Sequence, residues 1–492
     1  MEPSSLAQEP EWSNSDLPLS SDLLHSELPD ARPDEPALSR LVVVANRAPV
    51  RREDDGAWEA SVGGLATALL PVLERHGGVW VAMREDDDPT RQRYPEADPA
   101  FTIRRVPMTD EERVNYYEGM ANSVLWPVSH YLLQHLALER AFIEDYRAVN
   151  RRFAEAVIAE AEPDDAIWVH DYHLMLLPQI VREALPEARL AHFWHIPWPA
   201  MEVFRILPWA RELIRGLLGC DLIGFHVEEY VDNFRESAHV LLGAELTDGG
   251  VRWDGREVRV EAHPIGVDVA YFSETAAEAR VRRAAEQIRE EAAADFLFLG
   301  VDRLDYTKGI LARLHGFERL LERFPLLRGA VSLYQIATPS RTGVESYQEL
   351  KREVDELVGR INGAYSEGPW VPVHYYYRSF SQEELCAYYR AADAAFLTPL
   401  RDGMNLVTHE FIAASESGVL ILSELTGAAY LLPEAVLVNP YDEENLAEAL
   451  RAAIAMPPYE RQARLAALKE RVERLDVHRW ADRFLTSLTA DR

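Results

Sequence analysis

The sequence predicts an α/β protein made of two facing Rossmann-like domains with a cleft between them. Short apolar runs alternate with longer amphipathic segments from Leu41 onward, which is the pattern of doubly wound α/β sheets. The apolar runs are continuous, as expected for parallel strands that are buried on both faces. About 450 residues follow this pattern, which is too many for one such sheet and therefore predicts two.

Ten apolar runs are predicted to be strands. They span residues 41–45, 79–82, 166–170, 190–195, 221–225, 296–301, 330–336, 394–397, 419–422 and 435–438. Helices are predicted between them, including residues 203–218, 275–293 and 348–360. Ligands of such sheets bind at the carboxyl ends of the strands, so functional side chains are expected there.

Four segments are predicted along the chain. Residues 1–39 are rich in Ser, Pro, Asp and Glu and are expected to form a disordered acidic tail. Residues 40–266 form the first domain, because a strand ends there in Pro264 and Gly266, and residues 267–474 form the second. Residues 475–492 are predicted to be a C-terminal helix.

The charge balance limits the partners of this protein. Its 492 residues include 51 Lys and Arg against 82 Asp and Glu, a formal net charge of −31. Nucleic acids and anionic membranes both attract basic surfaces, so neither partner is expected. No run approaches the ~18 apolar residues of a membrane span, and residues 1–39 lack the basic start and apolar core of a signal peptide. Cys220 and Cys386 are the only cysteines, which indicates a reducing, cytoplasmic compartment.

The first strand is followed by Asn46-Arg47 and then by the pair Gly63-Gly64 at a helix start. A glycine pair at a helix N-terminus lets backbone N–H groups approach an anion, and Arg47 can add a bidentate contact to a phosphate. A plain turn with a surface arginine is the alternative interpretation. This loop is therefore one candidate anion site among several.

Two further strands carry histidines near their ends, in the motif His-Asp-Tyr-His at residues 170–173 and at His192 and His195. Four histidines suggest zinc, but no His-Glu-x-x-His helix and no nearby cysteine complete a ligand set. We therefore predict no metal and expect hydrogen bonding to a polyhydroxylated ligand. Structural histidines are the alternative, expected for at least two of the four.

The strand predicted at residues 296–301 runs into a loop that carries Arg303 and Lys308 and opens a helix. These two cations can converge on one diphosphate and stabilise it as it leaves a substrate. A salt-bridged loop is the alternative. Lys308 is one of only three lysines in the chain. Arg341 follows the next strand and can reach across the cleft, the alternative being a surface arginine at a helix start.

The strand predicted at residues 394–397 is followed by Asp402 and by a helix that carries Glu410, about two turns along the same face. Backbone N–H groups at the helix start can bind an anion, and the Glu410 carboxylate can hold two vicinal hydroxyls of a ribose. The backbone concerned belongs to Gly403, Met404, Asn405 and Leu406. A hydrolase acid/base pair of Asp402 and Glu410 is the alternative, although their position opposite the diphosphate motif favours binding.

Taken together, these motifs resemble the trehalose-6-phosphate synthase family of retaining glycosyltransferases over roughly residues 41–484. The order and spacing of the motifs make the resemblance specific. It rests on Asn46-Arg47, Gly63-Gly64-Leu65, Tyr116-Tyr117, Leu125-Trp126-Pro127, His130, His170-Asp171-Tyr172-His173, His195-Ile196-Pro197, Arg303-Leu304-Asp305-Tyr306, Lys308-Gly309, Ser340-Arg341, Arg360-Ile361-Asn362-Gly363 and Arg401-Asp402-Gly403-Met404-Asn405-Leu406.

The resemblance implies the GT-B fold, a reaction without metal or other cofactor, and a last helix that packs back onto the first domain. It implies transfer of glucose from a nucleotide-glucose, usually UDP-glucose, to glucose 6-phosphate with retained configuration. The products would be α,α-trehalose 6-phosphate and UDP. The chain ends at Arg492 without a visible phosphatase domain, so a separate trehalose-phosphate phosphatase is expected in the pathway.

The resemblance also implies residue roles. The catalytic set would be Arg303, Lys308, His195 and Asp171. The donor would meet Arg303, Lys308, Gly63, Gly64 and the backbone of residues 403–406 at its diphosphate, Glu410 at its ribose, and Asp402 and His195 at its glucose. Asp171 would orient the acceptor sugar, and the acceptor phosphate would be surrounded by Arg47, Tyr117, Trp126 and Arg341.

One departure from the family concerns the acceptor. Met83 stands where the family usually carries a second Trp near the acceptor. Glycerol 3-phosphate, giving glucosylglycerol phosphate, is therefore an alternative acceptor, although Asn46-Arg47, His173 and Ser340-Arg341 favour a sugar phosphate.

Two alternatives from other classes remain. A catalytically silent sugar-phosphate sensor on the same fold would not need to keep both Arg303 and Lys308. A pyridoxal-phosphate phosphorylase would need a Schiff-base lysine, whereas Lys308 is required at the diphosphate. The sequence leaves open the donor base and the oligomeric state, with a homo-oligomer among the options.

Overall fold

A computed structural model describes residues 40–52, 58–60, 64–85, 89–94, 100–341 and 344–490. The predicted acidic tail at residues 1–39 and the donor-site candidate Gly63 lie outside these residues. The described residues form two large sheets, one mainly and one entirely parallel, flanked by helices. This confirms the predicted α/β fold class.

The first sheet is built from the amino-terminal half of the chain. Its strands, with a separate two-stranded ribbon of β2 and β3, are β1 (Leu41–Val44), β2 (Val50–Arg52), β3 (Trp58–Ala60), β4 (Gly78–Met83), β5 (Arg91–Tyr94), β6 (Phe101–Val106), β7 (Ala166–His170), β8 (Arg189–Phe193), β9 (Leu222–Phe225), β10 (Glu245–Thr247), β11 (Gly250–Trp253) and β12 (Arg256–Ala262). The sheet order is β10-β11-β12-β9-β8-β7-β1-β4-β6-β5. From β12 to β6 all neighbours are parallel. All four residues of β1 are buried, and burying each such side chain contributes about 1.5–3 kcal/mol.

The second sheet is entirely parallel. Its strands are β13 (Phe296–Arg303), β14 (Val331–Thr338), β15 (Val373–Tyr376), β16 (Ala394–Leu397), β17 (Val419–Ser423) and β18 (Val436–Val438). They follow the order β15-β14-β13-β16-β17-β18. The order reverses around β13 and β16, and such switch points are where ligands bind in open α/β sheets.

Helices cover both sheets. They are α1 (Gly64–His76), α2 (Asp110–Arg113), α3 (Trp126–Ser129), α4 (Arg140–Glu160), α5 (Leu177–Ala184), α6 (Met201–Phe204), α7 (Ala210–Leu217), α8 (Glu228–Leu242), α9 (Val269–Ala277), α10 (Ala279–Ala292), α11 (Ile310–Arg323), α12 (Glu345–Tyr365), α13 (Gln382–Ala391), α14 (Leu406–Ala414), α15 (Glu443–Ala455), α16 (Pro458–Arg474) and α17 (Val477–Thr489). A π-helix, Val114–Leu125, joins α2 to α3. Within the described part of the chain, no helix is both long and apolar enough to cross a membrane.

The last helix, α17, packs against the first sheet. Its Trp480 and Phe484 lie 5.1 and 4.7 Å from the ring of Trp168 in β7, between ring centroids. Gly224 in β9 makes room for this contact, since a Cβ at that position would lie 2.5 Å from the Phe484 ring. The end of the chain is therefore anchored on the first sheet.

Two predicted helices are wrong as continuous segments. Residues 203–218 contain the end of α6, a turn and α7, and Pro208 lies in that turn, where it supplies no backbone N–H for a helix. Residues 275–293 are interrupted at Glu278, whose ψ of 142° is extended. The sequence also did not predict the edge strands β5 and β10 or the neighbouring β11, whose polar residues give no apolar run.

The carboxyl ends of the two sets of strands meet across a cleft. Arg341, which follows β14, lies over the ring of Trp126 in α3 at 4.1 Å from the ring centroid. Gly403, in the loop after β16, abuts the backbone of His195, which follows β8; a Cβ on Gly403 would lie 2.4 Å from the His195 carbonyl oxygen. Side chains predicted at separate strand ends therefore share one cleft.

Candidate active site in the cleft

Lys308 and Asp402 form an ion pair on the second-sheet side of the cleft. The Lys308 Nζ donates to the Asp402 Oδ2 at 2.5 Å, and the two side chains are only 12% and 13% exposed. Lys308 ends a 3₁₀ turn after β13, and Asp402 follows the neighbouring strand β16. Parallel pairing of these strands thus brings together two residues that are far apart in the sequence.

Asp402 is held ionised by the cations around it. Burial alone would raise the pKa of Asp402, but Lys308, His130 and Arg303 together outweigh burial and lower it. Arg303 is the last residue of β13 and is exposed. It makes no salt bridge with any residue that the structure describes. Of these two cations, Lys308 is already paired, whereas Arg303 is available to an anion.

The loop after Asp402 leads into α14. Asn405 caps this helix with a φ of 78°, and its Oδ1 accepts from the Thr408 N–H. The predicted common helix face of Asp402 and Glu410 is wrong, because Asp402 precedes the helix. Glu410 lies within α14, where its Oε2 accepts from the Tyr389 hydroxyl at 2.5 Å and burial raises its pKa. The loop of residues 403–406 thus leads directly into the positive end of a helix dipole.

Three arginines surround the hydroxyl of Tyr117 on the first-sheet side. Arg47 donates from Nη2 to the Tyr117 oxygen at 3.3 Å. Burial raises the pKa of Tyr117, but Arg47, Arg341 and Arg303 together lower it below its ordinary value. The ring of Tyr117 stacks on His173 at 5.7 Å. These contacts bring together three of the cations that the sequence placed at different strand ends.

Trp126 lies beneath two of these arginines. Its ring centroid is 4.1 Å from the Arg341 guanidinium and 5.7 Å from that of Arg303. Arg341 donates to Asp305 Oδ2 at 2.6 Å and to the Tyr172 hydroxyl at 3.3 Å. Its side chain is 5% exposed, so the alternative of a surface arginine is wrong.

Asp171 occupies a strained backbone position at the end of β7. Its φ is 70°, a conformation that is costly for a residue other than glycine and is often found at functional sites. Its Oδ1 is buried and has no hydrogen-bond partner among the described residues. Burial raises the pKa of Asp171 to about 7, with Arg303 and Arg341 among the groups that oppose this rise. A carboxylate oxygen is therefore kept unpaired in the cleft.

The four predicted histidines divide into two structural and two cleft residues. His170 and His192 are fully buried in β7 and β8. His195 is half-buried, and its Nε2 lies 3.1 Å from the His170 Nδ1. His173 stacks on Tyr117 as described above. Across the described ranges, no three His, Cys, Asp or Glu side chains form a metal-binding group, and the prediction of no metal stays a prediction.

The sequence assigned no role to three residues that lie among these groups. His130 is 2% exposed, and its Nδ1 donates to the Trp126 carbonyl at 2.8 Å. The charges of Asp305, Asp402 and Lys308 all act on its ring. Asp305 is fully buried and holds Arg341, and Tyr172 links Arg341 to Asn122. All three stand inside the quoted motifs, which was the available signal.

Met83 is a core residue at the end of β4. It is 6% exposed and belongs to the same apolar cluster as Val106, Tyr116 and Trp126. Its backbone N–H donates to the carbonyl of Asn46. Met83 therefore supports the loop that carries Arg47 rather than facing an acceptor directly.

A cavity of about 440 Å³ opens beside the cleft. It is walled by both halves of the protein, by Leu132 and His135 on one side and by Tyr306, His315 and Tyr441 on the other. Of the described residues assigned to donor or acceptor, none lines it. The charged groups converge instead in the adjoining cleft.

Two largely parallel sheets that face each other across a cleft, with cations at strand ends of both, have the architecture of the GT-B fold. The family model described as Glycosyltransferase family 20 matches residues 39–490 of this chain. The chain is 42% identical over 468 residues to a trehalose-6-phosphate synthase of Mycobacterium avium. The alignment covers 92% of this chain and 95% of that protein. The chain belongs to glycosyltransferase family 20, which confirms the resemblance found in the sequence.

Two further relatives extend the comparison. A bifunctional trehalose-6-phosphate synthase/phosphatase of Thermoproteus tenax is 42% identical over 468 residues, covering 91% of this chain; the chain spans 63% of that relative's length. A crystal structure of a UDP-forming α,α-trehalose-phosphate synthase from Burkholderia xenovorans, in complex with glucose-6-phosphate, has a TM-score of 0.85 at 34% identity. That match covers 92% of this chain and 100% of the other.

Proposed function

We propose that this protein transfers glucose from UDP-glucose to glucose 6-phosphate, giving α,α-trehalose 6-phosphate and UDP. The observation that carries the proposal is the arrangement of cations into two neighbouring sets. Arg303 and Lys308 lie near Asp402, and Arg47 and Arg341 lie around Tyr117 and Trp126. Two anionic groups, a donor diphosphate and an acceptor phosphate, suit these two sets.

The donor side supplies charge stabilisation. When the bond between the glucose C1 and the diphosphate oxygen breaks, negative charge develops on the leaving phosphate. Arg303, which has no ion-pair partner among the described residues, and Lys308 would stabilise that charge, since cations already in position need no reorganisation when the charge develops. Asp402 holds the Lys308 ammonium in place, and the start of α14 adds its dipole.

The acceptor side supplies position. The anomeric hydroxyl oxygen of glucose 6-phosphate would form the new bond to the donor C1, and its proton would pass to the leaving phosphate oxygen on the same face. Configuration is then retained without a protein nucleophile. Asp171, with its unpaired Oδ1, would orient the acceptor, while His195 would bind the donor glucose. Holding two reactants in this way accounts for much of the barrier reduction in such sites.

The hydrolase alternative has less support from the contacts. Asp402 is paired with Lys308, and Glu410 accepts from Tyr389. The Asp402 carboxylate is therefore engaged in an ion pair rather than free to act as a proton donor or as a nucleophile. Glu410 is better suited to the ribose role, and a metal-independent reaction is proposed because Arg303 and Lys308 supply the charge that a metal ion would otherwise provide.

The substrates can be identified by one panel. UDP-, GDP- and ADP-glucose are each incubated with glucose 6-phosphate and with glycerol 3-phosphate, and the products are identified by mass spectrometry. We expect a disaccharide phosphate from UDP-glucose and glucose 6-phosphate at the highest rate. Glucosylglycerol phosphate as the main product would indicate the alternative acceptor. Binding of glucose 6-phosphate without any UDP release would indicate a silent sensor.

The wider setting is also a proposal. The product keeps its phosphate, so a phosphatase must act next to release trehalose, and we expect it to be a separate protein. The Thermoproteus relative is named for both activities. A cytoplasmic location is supported by Cys220 and Cys386, which are both free and buried.

A further inference from the structure

Two neighbouring residues of α8 bind two neighbouring residues in the loop that follows β16. We call this loop, which carries Arg401 and Asp402, the donor loop. Glu229 accepts from the Arg401 Nη2 at 3.2 Å, and the hydroxyl of Tyr230 donates to the carbonyl of Asp402 at 3.2 Å. The helix α8 packs on the first sheet, whereas Arg401 and Asp402 follow β16 of the second sheet. These two hydrogen bonds therefore cross between the two halves of the protein.

Further contacts reinforce this crossing. The Glu229 Oε2 also accepts a short hydrogen bond from Tyr430, in the turn after β17 of the second sheet. The Arg401 guanidinium lies 4.2 Å from the ring centroid of Tyr131, which lies in the turn after α3 in the first half of the chain. Tyr131 has a φ of 61°, and its hydroxyl accepts from the Ala200 N–H at 2.6 Å. Arg401 thus lies between a carboxylate and an aromatic ring supplied by the opposite half.

The donor loop also contacts residues proposed to bind the substrates. Asp402 binds Lys308, and the next residue, Gly403, abuts the His195 carbonyl. A shift of the Arg401–Asp402 segment would move Lys308 relative to Asp171 and His195 on the first-sheet side. Misplacement by about 1 Å can cost about 10²-fold in rate.

We infer that Glu229 and Tyr230 are positioning residues that fix the donor loop against the acceptor side of the cleft. They act through Arg401 and Asp402 and touch neither substrate. The inference rests on the proposed function, because its kinetic readout is glucose transfer. The two residues align the two halves of the site.

A double-mutant cycle tests the inference. Glu229→Gln, Arg401→Gln and the double variant are assayed for UDP release with saturating UDP-glucose and glucose 6-phosphate. We expect each single variant to lower kcat by about 10- to 100-fold, with the acceptor KM changed less than about twofold. The double variant should be no slower than the slower single variant, because the pair acts as a unit. Wild-type kcat in the single variants, or losses that multiply, would overturn the inference.

Two further variants separate positioning from folding. Asp232→Asn is the matched control, since Asp232 is on α8 but pairs only with Arg235 of the same helix among the described residues; we expect wild-type kinetics. Tyr230→Phe removes one hydroxyl and should fold even where Glu229→Gln does not. A lower kcat with an unchanged Tm supports positioning, and a lower Tm with an unchanged kcat contradicts it.

Small-angle scattering gives a readout that does not depend on catalysis. Without substrates, Glu229→Gln should have a larger radius of gyration than the wild type, because the two halves separate more readily. Equal radii contradict the inference. If the wild type releases no UDP with glucose 6-phosphate, the proposed function fails, and the scattering comparison still decides whether the contact holds the halves together.

Discussion

The ammonium of Lys308 lies 2.5 Å from the carboxylate of Asp402, and both side chains are largely buried in the cleft. The pair fixes the lysine side chain at the position where the diphosphate is proposed to bind. Asp402 also accepts from Asn405, the cap of α14. The lysine, the helix start and the exposed Arg303 therefore form one site for negative charge.

Removal of this lysine tests the leaving-group role. Lys308→Ala should lower kcat by about 10²–10³-fold, as for the loss of one donor that stabilises developing charge. Initial rates of UDP release measure the effect. Lys351→Ala is the matched control, because Lys351 pairs with Asp355 one turn along the same helix and should leave the rate unchanged. Near-wild-type turnover in Lys308→Ala would remove this role.

Arg47 is the better test of the acceptor phosphate. It is exposed, whereas Arg341 also holds the buried Asp305, and removing one partner of a buried ion pair costs about 3–5 kcal/mol of stability. Arg47→Ala should raise the KM for glucose 6-phosphate with little change in kcat. The thermal midpoint should not move. An unchanged KM, together with an unchanged preference for glucose 6-phosphate over glucose, would contradict the assignment.

Asp171 gives a pH dependence of activity. Burial raises its pKa to about 7, and the proposed orienting role needs the ionised carboxylate. The kcat/KM of the wild type should therefore rise with pH through a limb near pH 7, because kcat/KM reports ionisation of the free enzyme. Asp171→Asn should be much less active and should lack that limb. A limb that persists in the variant assigns it to another group.

The same carboxyl makes stability depend on pH. In the unfolded chain Asp171 loses its proton near its ordinary pKa of about 3.9, whereas in the folded chain it keeps the proton up to about pH 7. Between these two pKa values the folded state binds more protons than the unfolded state. The contribution of Asp171 to the free energy of unfolding therefore falls as the pH rises toward 7. The Tm of Asp171→Asn, relative to wild type, should increase between pH 5 and pH 8. Parallel Tm curves would contradict this.

Substitutions of Met83 test whether this residue, which replaces the usual Trp of the family, affects the choice of acceptor. Met83→Leu conserves volume in the core and should leave both stability and the preference for glucose 6-phosphate over glycerol 3-phosphate nearly unchanged. Met83→Trp should overpack the cluster around Tyr116 and Trp126 and cost about 1–3 kcal/mol of stability. Unfolding midpoints and rates with the two acceptors measure these effects. A change of acceptor preference in Met83→Leu would show that Met83 itself selects the acceptor.

Sequence reasoning predicted the strands that carry the site because those strands are buried and apolar. The runs at residues 166–170 and 394–397 match β7 and β16, and the motifs at their ends lie in the cleft. It did not predict the pairing of Lys308 with Asp402, because that contact depends on β13 and β16 being neighbours in the sheet. Strand order is a long-range property that local patterns do not encode.

Other parts of the site depend on contacts between the two halves. Arg341 follows its strand as predicted, but its burial between Asp305, Tyr172 and Trp126 requires the first half to close over it. The positive φ of Asp171 likewise has no local sequence signal, since glycine is the residue that such a backbone favours. The residue types were therefore predictable, whereas their partners were not.

The central claim is that two phosphate-binding sets of cations position a donor and an acceptor for transfer without a protein nucleophile. Proton NMR of a reaction of UDP-glucose with glucose 6-phosphate tests it most directly. The account predicts one UDP for each disaccharide phosphate formed, with α configuration at both anomeric carbons. A β-linked product, or no transfer to glucose 6-phosphate, would contradict it.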